Sequence, residues 1–270
     1  MSDKSNDDVT THVTRRSVLR RSTGVAAIGA ASLLASPISA SPAGAAPLDG
    51  ASASGGDALP GSVAGIRIPD SALARETVRF ARGVSSVTLF NHVMRTYLYS
   101  ALLFDRRGVR YDCELAFVAA VLHDLGLLEA YQVPAERFEV GGADAAERFL
   151  KKQHMSDERV AVVWDAIALH TNMGIASRKR PEIAMVSVGS AADFAGQDLQ
   201  QIPSDALEEI LDAFPREGFK QDALDNILSI CRTNPMSVAM HPFAEVGRRH
   251  IPEFPVPTVE DMLLAAPFEE

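Results

Sequence analysis

The sequence predicts an all-α fold, a helical bundle in a single domain, and three observations carry that expectation. Apolar residues recur at helical spacing, as in Leu89, Val93, Tyr97 and Ala101 and again in Leu115, Val118, Ala119 and Leu122, which marks buried helix faces. Helix-start signals follow one another: Asp70, Ser85 or Ser86, Asp112 and Ser156 suit N-cap positions, and Pro181 suits a first helical turn. Strand alternation is confined to a short piece at Val63 to Ile68, and there is no internal repeat. With 270 residues and 47% hydrophobic composition, the chain can bury one sizeable core.

Residues 1–45 stand apart from that core. Thr14-Arg15-Arg16-Ser17-Val18-Leu19-Arg20 precedes an uncharged run from Gly24 to Ala35, then small residues and prolines up to Ala46. Basic, apolar and small-residue segments in that order make an export signal. The apolar run is shorter than the roughly 20 residues a bilayer span needs. The arginine pair resembles a twin-arginine signal, with Val18 where that pattern has Phe, and Ala43-Gly44-Ala45 fits a cleavage site. The expectation is therefore a protein exported to the periplasm or outside the cell, with the twin-arginine machinery as a partner. That route carries folded proteins, which suits a chain that takes up its metal before export. Residues 46–69, rich in Gly, Ala, Ser and Pro, read as a flexible leader.

Helices then follow in order. Asp70 caps one through about Ala81, and Ser85 or Ser86 caps one through about Asp105 that carries His92. Asp112 caps a third that ends at His123-Asp124, where Gly126 can take the left-handed conformation that stops a helix. A connector with Pro134 leads to a helix from about Ala143 to Lys152. Others run from Asp157 to about His170, from Pro181 to Asp193, near 205–214 and near 219–232. The bundle domain spans 70–234. Six of the 15 prolines lie after Asn234, so 235–270 reads as an arm with short helices, packed on the core or on a second subunit, which leaves a homo-oligomer open.

The whole chain carries 26 Lys and Arg against 35 Asp and Glu, a net charge of −9. Without residues 1–45 the counts are 21 and 32, a net charge of −11. That balance argues against nucleic-acid partners and anionic membrane surfaces. No later segment is long and apolar enough for stable membrane insertion. Cys113 and Cys231 fall in apolar helical patterns, where two buried free thiols are expected, with a disulfide as the alternative in an oxidising compartment.

The chemistry centres on Val121-Leu122-His123-Asp124-Leu125-Gly126. An imidazole and a carboxylate side by side suit a divalent metal, which needs further nitrogen or oxygen ligands from other helices. His92, His154 and His170 are the nearby imidazoles, and Asp193 is an acid in an apolar, small-residue stretch, with Asp198 five positions on. A carboxylate in such surroundings needs a partner, and a metal is one. Each also has a structural reading. A lone helical histidine is more often a hydrogen-bonded core residue, the reading kept for His154, His241 and His250. Trp164 and the methionines are simplest as core. Arg95 either orients a substrate or pairs with Glu139, and Glu139 either enters the pocket or caps the next helix.

His, then His-Asp, then a distant Asp, all on helices, resembles the HD-domain metal-dependent hydrolases. Three stretches resemble the cyanamide hydratase branch: Phe90-Asn91-His92-Val93-Met94-Arg95-Thr96-Tyr97, Arg137-Phe138-Glu139-Val140-Gly141-Gly142-Ala143-Asp144-Ala145-Ala146 and Ile167-Ala168-Leu169-His170-Thr171. The resemblance implies an HD-type helical bundle with His92, His123, Asp124 and Asp193 as metal ligands. It implies one divalent transition metal per chain, with Zn foremost and Fe(II) or Mn as alternatives. His170 becomes a pocket residue, or a ligand if a second metal is present. The implied reaction is hydration of a small nitrile, cyanamide to urea, with Asp124 and His170 as catalytic residues moving protons. A phosphohydrolase acting on a nucleotide or other phosphoester is the alternative, with Arg95, Arg137 and the stretch 178–180 as its cations. A non-catalytic metal- or small-molecule-binding protein is the second.

Overall fold

Polar caps decide where the first helices begin. In the computed structural model, which describes residues 59–268, α1 (Ala72–Val84) starts at Ser71, whose hydroxyl accepts from the Ala74 amide at 3.0 Å. Asp70, the expected cap, pairs instead with Arg67 at 3.1 Å. Ser86 caps α2 (Val87–Arg106) and Asp112 caps α3 (Cys113–Leu122), each satisfying an amide that the helix leaves orphaned. The export segment and most of the leader lie outside the described residues.

A two-residue hairpin, β1 (Ser62–Val63) and β2 (Ile66–Arg67), precedes α1. After α3 come α4 (Phe138–Lys152), α5 (Asp157–Ala168), the short α6 (Met173–Ala176), α7 (Pro181–Ala195), α8 (Ser204–Ala213) and α9 (Phe219–Thr233). The arm adds α10 (Phe243–His250) and α11 (Val259–Leu264). The fold is thus the expected all-α bundle. Helix α4 starts five residues earlier than Ala143, so Glu139 sits in its first turn. None of the described helices is long and apolar enough to cross a membrane.

The fully buried side chains of α2 include Met94, Arg95, Tyr97 and Leu98, which places this helix at the centre of the bundle. It packs along α7, and the two approach so closely at Gly189 that a Cβ there would overlap the Thr96 carbonyl. This crossing brings α7 residues against the side chains of the same α2 stretch. Gly126 does not take a left-handed conformation, contrary to expectation. It lies in a 3-10 turn (Leu125–Leu127), and a Cβ on it would overlap the Phe138 carbonyl at the start of α4. Glycine is needed for closeness, and the helix stops because the chain tightens into that turn.

The arm packs on its own core. Val238, Ala244 and Val256 join Ile227, Ile230 and Cys231 of α9 and Phe138 of α4 in one apolar cluster. Both cysteines are free, and Cys113 is exposed at the start of α3 rather than buried.

Candidate metal centre

Three imidazoles surround one carboxylate. His92 Nε2 and His123 Nε2 each lie 3.3 Å from Asp124 Oδ2, and His170 Nε2 lies 3.6 Å from Asp124 Oδ1. Donor atoms of His92, His123 and Asp124 all fall within 4.8 Å of one another. All four residues are buried. They arrive from different elements: His92 from α2, His123 from the C-cap of α3, Asp124 from the bridge-like backbone after it, and His170 just past α5. Because His123 and Asp124 straddle the break between α3 and the 3-10 turn, neighbouring residues can face one point, which mid-helix neighbours about 100° apart cannot.

The other ring nitrogen of each imidazole is tied down. His123 Nδ1 donates to the Ala120 carbonyl at 2.8 Å and His170 Nδ1 to the Ile167 carbonyl at 2.7 Å. His92 Nδ1 donates to Asp193 Oδ2 at 2.7 Å. A nitrogen facing an oxygen acceptor must carry the proton, so a neutral ring presents its Nε2 lone pair. Each Nε2 therefore points an acceptor at Asp124, which when ionised is itself only an acceptor. His123 Nε2 is buried and makes no hydrogen bond. A cation among these acceptors satisfies them all, and outer-shell partners of this kind are what fix ligating histidines. The residues fit a divalent metal.

Ionisation follows the same pattern. Burial holds the His123 imidazole down at about 3, with His170 and His92 adding to it and Asp124 opposing. Burial would raise the Asp124 carboxyl, yet His123, His92 and His170 outweigh it and hold the group below the usual carboxylate range. Burial lowers His92, but the neighbouring carboxylates of Asp124 and Asp193 outweigh it and raise its pKa.

Asp193 takes a different place from the expected ligand. It faces the back of the His92 ring, and Arg95 grips it with Nε on Oδ1 and Nη2 on Oδ2, both at 2.8 Å. Arg216 adds a contact to Oδ1 at 3.2 Å. Burial raises the Asp193 pKa, but His92 and Arg95 bring it to about 2. The neighbouring acid Asp198 pairs with Arg107 instead. Arg95 neither enters the cavity nor meets Glu139, because its remaining nitrogen donates to the Phe214 and Pro215 carbonyls. The expected pairing of Arg95 with Glu139 is thus replaced by one with Asp193.

Glu139 belongs to a second network beside the centre. It accepts from Arg137 Nη2 at 2.5 Å, from the Thr171 hydroxyl, and from His241 Nε2 at 3.1 Å. Burial raises its pKa, and His241 and Arg137 bring it below the usual range. The ring of His241 accepts the Phe243 amide at Nδ1, 3.1 Å away.

A cavity of about 290 Å³ opens over His92, Asp124 and His170. Its walls are mainly apolar, with Leu89, Leu127, Phe138, Phe219, Ile227 and Phe243 prominent. Sequence reasoning missed Phe219, Ile227, His241 and Phe243 as site residues. They come from α9 and the arm, and no spacing signal links them to His123. His154 has a left-handed backbone after α4 and plays no part in the cavity.

Residues 89–214 match the model of the HD domain family. No curated protein matches the chain.

Proposed function

We propose, from the match of residues 89–214 to the HD domain family, that this chain is a metal-dependent hydratase adding water to a nitrile. Cyanamide, converted to urea, is a small substrate of that class. His92, His123 and Asp124 hold the cation, with His170 beside them, and Asp193 orients His92 from behind. Zn suits this donor set, as do Fe(II) and Mn. A bound divalent ion supplies Lewis-acid polarisation and makes water acidic enough to react at neutral pH.

The residues then divide the remaining work. Asp124 can hold a proton taken from water, and His170 Nε2, 3.6 Å from Asp124 Oδ1, is placed to pass one to the substrate nitrogen. The mainly apolar walls surround this polar floor. Water adds across the nitrile: its oxygen bonds to carbon, both its protons end on nitrogen after tautomerisation, and nothing leaves.

The observation that carries this reading is the cavity lining, in which no described residue is a lysine or arginine. Phosphoester chemistry needs cations around the phosphate. Of the cations proposed for it, Arg95 is committed to Asp193, Arg137 to Glu139, Lys179 to Asp165 and Arg180 to Glu182, and Arg178 does not line the cavity. An open cavity over the cluster also disfavours a purely structural metal site. The test is a paired assay on one metal-loaded sample, measuring urea from cyanamide and phosphate from nucleotides. Urea without phosphate is expected, and phosphate release alone overturns the reading. The signal-like segment around Arg15 and Arg16 supports export by the twin-arginine route as a further proposal, tested by cell fractionation.

A further inference from the structure

The cavity is larger than cyanamide requires. Cyanamide has three non-hydrogen atoms, whereas about 290 Å³, at roughly 30 Å³ per water-sized group, holds on the order of ten. Its size lies near the lower end of the roughly 300–1,000 Å³ of organic-ligand pockets. The extra room is aromatic. Phe138 and Phe243 stack with centroids 5.2 Å apart, and Phe219 stacks on the His92 ring at 4.9 Å. The mouth is apolar too, since the lining residues Phe194 and Met173 are 56% and 42% exposed. Large apolar side chains held open to water at a cavity rim suit an apolar ligand body. Charge points the same way: the ionisable groups lining the cavity are histidines, Asp124 and, from α9, Asp222, so an anionic body is disfavoured.

Resting on the hydratase reading, we propose that the substrate is a neutral nitrile bearing an aromatic or bulky aliphatic body, seated on Phe219, Ala223 and Ile227 of α9 and on Phe243 of the arm. The match to the HD domain family ends at residue 214, so Phe219, Ala223, Ile227 and Phe243 lie outside it. The reaction is balanced as before, R–C≡N plus water giving R–C(=O)NH₂.

The experiment compares benzonitrile with cyanamide on the metal-loaded full chain. It also titrates benzamide, the product-type ligand, by protein-observed NMR, so that binding is read apart from turnover. Ala223→Phe, which fills the wall, is the test variant. The expected result is a kcat/KM for benzonitrile at least about tenfold above that for cyanamide, the scale on which apolar pockets discriminate. Ala223→Phe should lower that ratio and weaken benzamide binding by about tenfold or more. Faster hydration of cyanamide, with no benzamide binding, overturns the proposal and leaves the hydratase reading intact. Benzamide binding that Ala223→Phe abolishes, with neither nitrile hydrated, overturns the hydratase reading and supports the ligand class.

Discussion

Asp124 lies between two unlike surroundings. Beneath it, α2, α3 and α7 form a core held by buried hydrogen bonds, from His123 Nδ1 on the Ala120 carbonyl to Asp193 between His92 and Arg95. Above it, α9 and the arm offer Phe219, Ile227 and Phe243 around open space. The first region gains its order from hydrogen bonds in a low-dielectric interior, where an unpaired group is costly. The second is held by apolar packing, which tolerates changes of shape while volume is kept. Damage to the lower region should therefore remove metal or fold, and damage to the upper region should alter ligand choice while the metal stays.

The largest effect is expected at Arg95. Arg95→Met leaves the Asp193 carboxylate buried without its bidentate partner, a loss of about 3–5 kcal/mol readable by urea denaturation. The wild-type pH dependence should agree. The folded pKa of Asp193, about 2, is below its ordinary 3.8, so its stabilisation is full above that ordinary value and lost as pH falls through the folded one. A stability unchanged by Arg95→Met would put Asp193 elsewhere. Next comes Asp193→Asn, expected to weaken metal affinity about 10–100-fold in competition with a chelator. Complete loss of metal would instead make Asp193 a direct ligand, as the sequence resemblance implies. The smallest effect belongs to the upper region. Phe243→Leu removes the stack on Phe138 and should cost about 1 kcal/mol, with metal content unchanged by elemental analysis. A metal lost with Phe243 would merge the two regions.

The same contrast explains what could be read in the sequence. Helical periodicity and caps exposed the bundle, and an ordered His, His-Asp, Asp pattern in apolar surroundings exposed the lower region. Asp193 was legible as an acid needing a partner, but its partner is Arg95, one turn after His92 on α2 and therefore on the same helix face. That spacing carried the signal, and the long reach of the guanidinium hid it. Gly126 illustrates a different limit. A left-handed stop and a close backbone approach both require glycine, and only the tertiary contact with Phe138 separates them. Phe219, His241 and Phe243 had no local signal, because the path of the arm is set by packing against α9 rather than by periodicity.

Elemental analysis of purified wild-type protein beside His123→Ala, with circular dichroism on both, addresses the metal centre itself. About one equivalent of a divalent transition metal in the wild type, and none in a variant that keeps its helical signal, is the expected outcome. His123 Nε2 is the buried donor with no hydrogen bond, so a variant that loses it yet retains both metal and fold would contradict a cation held at Asp124.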